Sequence, residues 1–310
     1  MKEKRGNILF ISLLCFFAFG MMNCGSAQKI ALDPESMDFY ETVRLIMTKE
    51  EKDIFRHLPD DESRREFIQD FWQKRDPDPD TDENEFKEEF FARIEYANRR
   101  FREGPPGWKT DRGRIYIYLG PPDKTDEYFS DEYGYTLKGS RLIWIYYKYQ
   151  LAVVFVDSGV GQFTLNPSPY EMGGGLVGSL SEAIEMARLG ISFEGSNFTK
   201  KYTDFDVKFD KERREIVVSI PVKLLTFIEE EGLLKVDFDF EFYFYEQNGL
   251  WNDKFKRKES FAKPENEVLQ MKEITFHFPY ELKPGKYYLD VVIIGKESIG
   301  KTRKIFKIKA

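Results

Sequence analysis

Between Val236 and Tyr245 the chain alternates without a break. Val236, Phe238, Phe240, Phe242 and Phe244 fall on one side, and Asp237, Asp239, Glu241, Tyr243 and Tyr245 on the other. A repeat of two is that of a strand, and a strand with one wholly apolar face must bury it under a second layer. The run stops at Asn248-Gly249, which suits the positive φ angles of a two-residue hairpin turn. With those residues at the centre of the turn, Glu241 faces Lys256 and Asp239 faces Lys258, so the ladder pairs opposite charges. Further strand patterns fall at 215–220, 273–278, 286–294 and 303–309.

The segment Leu282-Lys283-Pro284-Gly285-Lys286-Tyr287-Tyr288-Leu289-Asp290-Val291 resembles the turn into a late strand of bacterial immunoglobulin-like sandwiches. An immunoglobulin-like β-sandwich over 201–310 is the expectation for this half. The first half reads differently. Asp33-Pro34 opens one helix, Thr48 and Glu51 form a capping box for a second, and a third over 62–74 carries Phe67, Ile68, Phe71 and Trp72 on one face. Prolines make 75–82 a stiff loop. Phe86, Phe90, Ile94, Ala97 and Phe101 then mark the best helix of the chain, which Gly104-Pro105-Pro106-Gly107 stops. Strands are expected at 114–119, 142–147, 151–156 and 162–165, giving an α+β fold over 30–165: N-terminal helices on a small, mostly antiparallel sheet. Pro167, Pro169 and Gly173-Gly174-Gly175 place a linker at 166–200, with a short helix near 182–188.

Gly107-Trp108-Lys109-Thr110-Asp111-Arg112-Gly113, the following turn Gly120-Pro121-Pro122-Asp123, the loop Arg75-Asp76-Pro77 and Asn84-Glu85 together resemble the GWxTD domain of bacterial envelope proteins, over roughly 71–165. The resemblance implies an exported, often lipid-anchored protein with no established activity. Two readings of the motif follow from its residues. In the first it is a site: Asp111 a base or cation ligand, Arg112 an anion clamp, Trp108 a stacking wall, with Thr110 as a further ligand contact. In the second it is a turn: Trp108 fills the core, Thr110 or Asp111 caps, and Gly113 supplies an unusual backbone angle. A catalytic set would draw on Asp111, Arg112 and Asp123, but acids at the two ends of a six-residue strand stand roughly 20 Å apart, too far for paired-carboxylate chemistry.

The first 23 residues read as an export signal, basic at Lys2, Lys4 and Arg5 and apolar from Ile8 to Met22. Cys24 then stands where a lipoprotein is lipidated, and cleavage after Ala27 is the competing route. Cys15 and Cys24 are the only cysteines, so the mature fold has no intramolecular disulfide and no Cys-rich metal site. A net charge of −7 argues against nucleic acid as a partner. Asp76, Asp78 and Asp80 alternate like the start of a calcium loop, yet Thr81 and Lys87 replace the Gly and Glu that such a loop needs. Gly173, Gly175 and Gly178 match a nucleotide-loop spacing with no strand before them, and His57 and His277 lie in different halves, so no cofactor is expected. The resulting expectation is a non-enzymatic, lipid-anchored envelope protein, facing the periplasm, that binds another protein or a cell-surface component. A carboxylate-dependent hydrolase is one alternative, and glycan binding through Tyr128, Phe129, Tyr133 and Tyr135 is another.

Overall fold

Each of the first five helices starts at a side-chain cap, a contact worth about 1 kcal/mol apiece. Asp33 accepts from Ser36 N ahead of α1 (Pro34–Val43), and Thr48 and Glu51 close a reciprocal capping box on α2 (Lys49–His57). Asp60, Asn84 and Thr110 do the same for α3 (Asp61–Gln73), α4 (Glu85–Arg100) and α5 (Asp111–Leu119). The computed structural model describes residues 32–79, 81–128, 140–157, 159, 161–166, 179–189, 205–295 and 298–310. The export segment with Cys24, Asp80, the residues from Phe129 to Tyr135 and the glycines at 173, 175 and 178 lie outside them. Among the described residues no helix is long and apolar enough to cross a membrane.

The α+β half sits on a four-stranded antiparallel meander in the order β1 (Lys124–Tyr128), β2 (Arg141–Tyr146), β3 (Leu151–Asp157), β4 (Phe163–Leu165). Trp144 of β2 packs against Phe101, which ends α4, with ring centroids 5.7 Å apart. A further helix, α6 (Leu180–Leu189), adds Ala183, Met186 and Leu189 to the same core.

Two expectations about this half are corrected. Residues 114–119 form no strand; they complete α5, whose Ile115, Ile117, Tyr118 and Leu119 are all buried. A short apolar run fits a buried helix as well as a strand, and here α4, α6 and β4 surround it, so burial on several sides produces the apparent alternation. The sheet's first strand is instead β1, mostly exposed and polar, which carries no apolar pattern to reveal it.

The second half is a sandwich. One sheet has the order β10 (Glu273–Pro279), β6 (Glu215–Pro221), β5 (Asp206–Asp210). The other has the order β12 (Gly300–Lys309), β11 (Lys286–Gly295), β8 (Leu233–Glu246), with β9 (Asn252–Pro264) and the short β7 (Ile228–Glu230) both paired to β8. A single-turn helix, α7 (Glu265–Val268), leads from β9 towards β10. In chain order these sheets reproduce the immunoglobulin-like arrangement, with β5, β6 and β10 against β8, β11, β12 and the added strand β9. Tyr287, at the start of β11, donates to Lys283 O at 2.9 Å, which is the tyrosine corner of such sandwiches. The hairpin register is the expected one, with Glu241 opposite Lys256 and Asp239 opposite Lys258. Phe238, Phe240, Phe242 and Phe244 are buried between the sheets.

The other face of β8 has its own burden. Tyr243 and Tyr245, with Tyr288 and Val292 of β11, join the core of the helical half, so the sandwich packs directly on α2 and α3. Five of the charged side chains buried at this junction form one connected chain. Lys74 reaches Asp290 at 2.8 Å, Arg303 reaches Asp290 and Glu51 at 2.6 Å each, and Arg75 reaches Glu51 at 2.7 Å. The signs alternate along the chain Lys74, Asp290, Arg303, Glu51, Arg75. Burial alone would push both carboxyls up, but the flanking cations hold Glu51 and Asp290 below their ordinary values. Arg75 is turned inward to Glu51 and stacked on Phe71 at 3.7 Å.

Candidate functional site

The Gly107–Gly113 segment joins two helices through one 3₁₀ turn, Gly107–Lys109. Thr110 ties it together by donating to Gly107 O at 2.8 Å and accepting from Gly113 N at 3.0 Å. A Cβ at Gly107 would lie 1.9 Å from Ala97 O, and one at Gly113 would lie 1.9 Å from Gly107 O. Both glycines are therefore set by close backbone approach between α4, the turn and α5. Gly113 has no positive φ, contrary to the expected unusual angle.

The polar candidates are occupied. Asp111 accepts from Leu165 N at 2.8 Å and pairs with Arg114, fastening β4 to the start of α5. Arg112 pairs with buried Glu103 at 2.6 Å and lies over the Phe163 ring at 4.2 Å, while Glu103 also accepts from Phe163 N at 3.1 Å. Asp123 accepts from Tyr147 N at 2.7 Å, beyond the other end of α5. Asp111 thus holds β4 and Asp123 the turn that follows β2, and the separator between them is a helix, in place of the expected strand. In the 75–82 loop Asp76 accepts from Asp78 N at 3.2 Å, and no metal-sized group of three ligating side chains occurs among the described residues. His277 is exposed and bonds Glu215 at 3.0 Å.

Trp108 behaves differently from its neighbours in the motif. It is half-buried, its backbone N–H is held by Asn98 at 3.2 Å, and its side chain lines an open hollow of about 480 Å³. Tyr40 comes from α1, Arg44 and Leu45 from the turn that ends it, Lys52 and Arg56 from α2, Trp108 and Lys109 from the 3₁₀ turn, Arg114 and Tyr118 from α5, and Arg188 from α6. Six cations and three aromatic rings therefore share one wall, and no carboxylate lines it.

The rings carry the cations. Arg44 and Lys109 lie 5.8 and 5.0 Å from the Trp108 centroid, Arg56 lies 5.4 Å from that of Tyr40, and Arg188 5.4 Å from that of Tyr118. Three of the six also reach an acid just outside the hollow, Arg44 to Glu41 at 3.4 Å, Arg188 to Glu185 at 3.4 Å, and Arg114 to Asp111. Lys52, Arg56 and Lys109 have no carboxylate partner among the described residues. Lys52 is pushed below its ordinary value, first by partial burial and then by the fields of Arg188 and Arg56. A same-sign wall of this kind attracts and holds an anion. By contrast, a hollow of about 520 Å³ on the sandwich mixes Glu230, Asp237, Asp239 and Glu259 with Lys235 and Lys258, so both signs are present and acids outnumber bases.

Reading the sequence found Trp108 but not the cations, which come from four separate stretches between 44 and 188. The available signal was local: Lys52 and Arg56 are four apart on α2 and so share a face, and Lys109 sits inside the motif.

The family model described as the GWxTD domain matches residues 33–155. It begins well before the expected 71, so α1, the turn after it and α2, which build half of the hollow, go with the motif. None of the curated proteins matches the sequence. Among solved structures the chain is similar to a family 76 glycoside hydrolase from a bovine Bacteroides thetaiotaomicron strain, at 10% identity and a TM-score of 0.20, over 34% of this chain and 20% of that one. It is also similar to the chicken interferon gamma receptor alpha chain, at 10% identity and a TM-score of 0.14, over 56% of this chain and 92% of that one. The chain spans a fifth of the length of the hydrolase, and neither likeness is close enough to inform fold or function.

Proposed function

We propose, from the premise that residues 33–155 are a GWxTD domain, that this chain is a non-enzymatic protein of the cell envelope. In this reading it is held to the membrane by lipid on Cys24 and binds another envelope component through the hollow beside Trp108. The observation that carries the reading is the composition of that hollow: six cations and three rings, with no carboxylate, imidazole or thiol in its wall. Such a wall can hold and orient an anionic partner, and it offers no carboxylate for the carboxylate-dependent hydrolysis considered above. The saturated state of Asp111, Arg112 and Asp123 supports the same reading, since each already serves a backbone amide or a buried partner.

Copurification of the full chain from membranes tests both parts. The wild type should remain in the membrane fraction and retain a bound component, Cys24→Ser should move to the soluble fraction, and Lys52→Glu with Lys109→Glu should stay anchored but lose the component. Retention of the same component by the charge-reversed variant would place binding elsewhere. An unchanged membrane fraction for Cys24→Ser would remove the lipid anchor.

A further inference from the structure

The charge balance of the hollow narrows the class of ligand, an inference that rests on the binding role proposed above. Of its six cations, Arg44, Arg114 and Arg188 are partly neutralised by Glu41, Asp111 and Glu185. Lys52, Arg56 and Lys109 remain uncompensated among the described residues. These three come from separate elements, two from α2 and one from the 3₁₀ turn, and line a shared space of about 480 Å³. A single carboxylate brings one negative charge and two oxygens, which leaves most of that excess unmatched. A phosphomonoester brings about 1.5 to 2 negative charges at neutral pH and three strong acceptor oxygens. Lysine ammonium groups meet such oxygens as point charges, and an arginine fork meets two of them at once.

The rings do not compete with this role. The Trp108 face is flanked by Arg44 and Lys109 and the Tyr40 face by Arg56, so these surfaces position the cations and leave little face for sugar stacking. Arg56 is further held by the Tyr40 hydroxyl, which fixes its fork at the rim. Most of the site is thus organised before a ligand arrives, and that lowers the ordering cost of binding.

We infer that the hollow at Trp108 is a binding site for a phosphomonoester group, carried on a soluble sugar phosphate or on a lipid headgroup, with Lys52, Arg56 and Lys109 as its principal contacts.

Titration calorimetry of the full chain in detergent tests this with inorganic phosphate, glucose 6-phosphate and acetate at matched ionic strength. Phosphate should bind more tightly than acetate, and Lys52→Gln with Lys109→Gln should weaken phosphate by about tenfold or more, the size expected for lost hydrogen bonds to a charged group. Arg56→Gln alone should give a smaller loss in the same direction, while Asp123→Asn, outside the hollow, should bind as the wild type does. Flotation with phosphatidic acid vesicles against phosphatidylcholine vesicles then separates the sources. Preference for the vesicles over glucose 6-phosphate assigns a headgroup, and the reverse assigns a soluble ester. Equal affinity for phosphate and acetate, or phosphate binding that ignores both hollow variants, overturns the inference.

The two proposals fail separately. Loss of the membrane component in the charge-reversed variant without any phosphate preference leaves the binding role and removes this ligand class. Phosphate binding with the membrane component retained leaves the site and removes its role.

Discussion

Glu51 and Lys52 are adjacent on α2 and serve two opposite arrangements. Glu51 lies inside a buried chain of alternating charge, with Arg75 and Arg303 each within 2.7 Å of it. Lys52 faces a hollow in which every charged side chain has the same sign. The first arrangement satisfies itself and holds the helical half to the sandwich. The second is complete only when something from outside supplies the opposite charge. A single step along the helix therefore separates charge used for cohesion from charge left available for binding, and each can be perturbed without the other.

The largest effect is expected inside the chain of alternating charge. Asp290→Ala leaves Lys74 and Arg303 buried without their shared carboxylate, a change of the kind that costs about 3–5 kcal/mol. Urea unfolding of the full chain should show that loss. A cost below about 1 kcal/mol would mean that the buried ions do not hold the halves together, and the contrast with the hollow would collapse.

Acid should reach the same chain from another direction. Glu51 and Asp290 are held below their ordinary values of 4.5 and 3.8, so between those values and their folded ones the unfolded chain binds more protons. Their contribution is fully present above the unfolded values and is lost as pH falls through the folded ones. The denaturation midpoint should thus drop below about pH 4.5, and Asp290→Ala should flatten that acid limb. An identical limb in the variant would assign acid sensitivity to other carboxylates.

The turn that bears one wall of the hollow comes next in size. Gly113→Ala would put a Cβ 1.9 Å from Gly107 O, and relief of such a contact costs about 1–3 kcal/mol. Thr110→Ala, which removes the cap of α5, should cost about 1 kcal/mol. Both should weaken binding at the hollow in step with stability, because Lys109 and Arg114 are carried by this turn and the helix it starts. A Gly113→Ala protein as stable as the wild type would show that α5 shifts freely.

How far the sequence disclosed these arrangements depended on the range of the interaction. The β8–β9 register followed from Asn248-Gly249 and facing charges, because a tight turn and a period of two are local. The helix starts at Asp33 and Thr48 were legible for the same reason. Residues 114–119 were not: Ile115, Ile117 and Tyr118 look alternating, and only the helices packed around them decide the outcome. Glu51 was legible as a capping residue, but its second oxygen goes to Arg303, 252 positions away. The hollow was hidden likewise, since Arg44, Lys109 and Arg188 become neighbours only after α1, the 3₁₀ turn and α6 have packed. Trp108, offered either as a stacking wall or as a core residue, lines the hollow half-buried, and Asp111 and Arg112 make contacts to Leu165 and Phe163 of β4.

The smallest expected effect is the sharpest test of the contrast. Lys52→Gln with Lys109→Gln removes two charges that have no carboxylate partner among the described residues, so stability should stay within about 0.5 kcal/mol of the wild type or rise slightly as repulsion is relieved. Salt gives the sign independently. Added sodium chloride screens like charges at exposed positions, so it should raise the thermal midpoint of the wild type more than that of the variant. A variant that is clearly destabilised, with a salt response like that of the wild type, would mean that Lys52 and Lys109 already serve the fold. The two faces of α2 would then differ only in depth and not in kind.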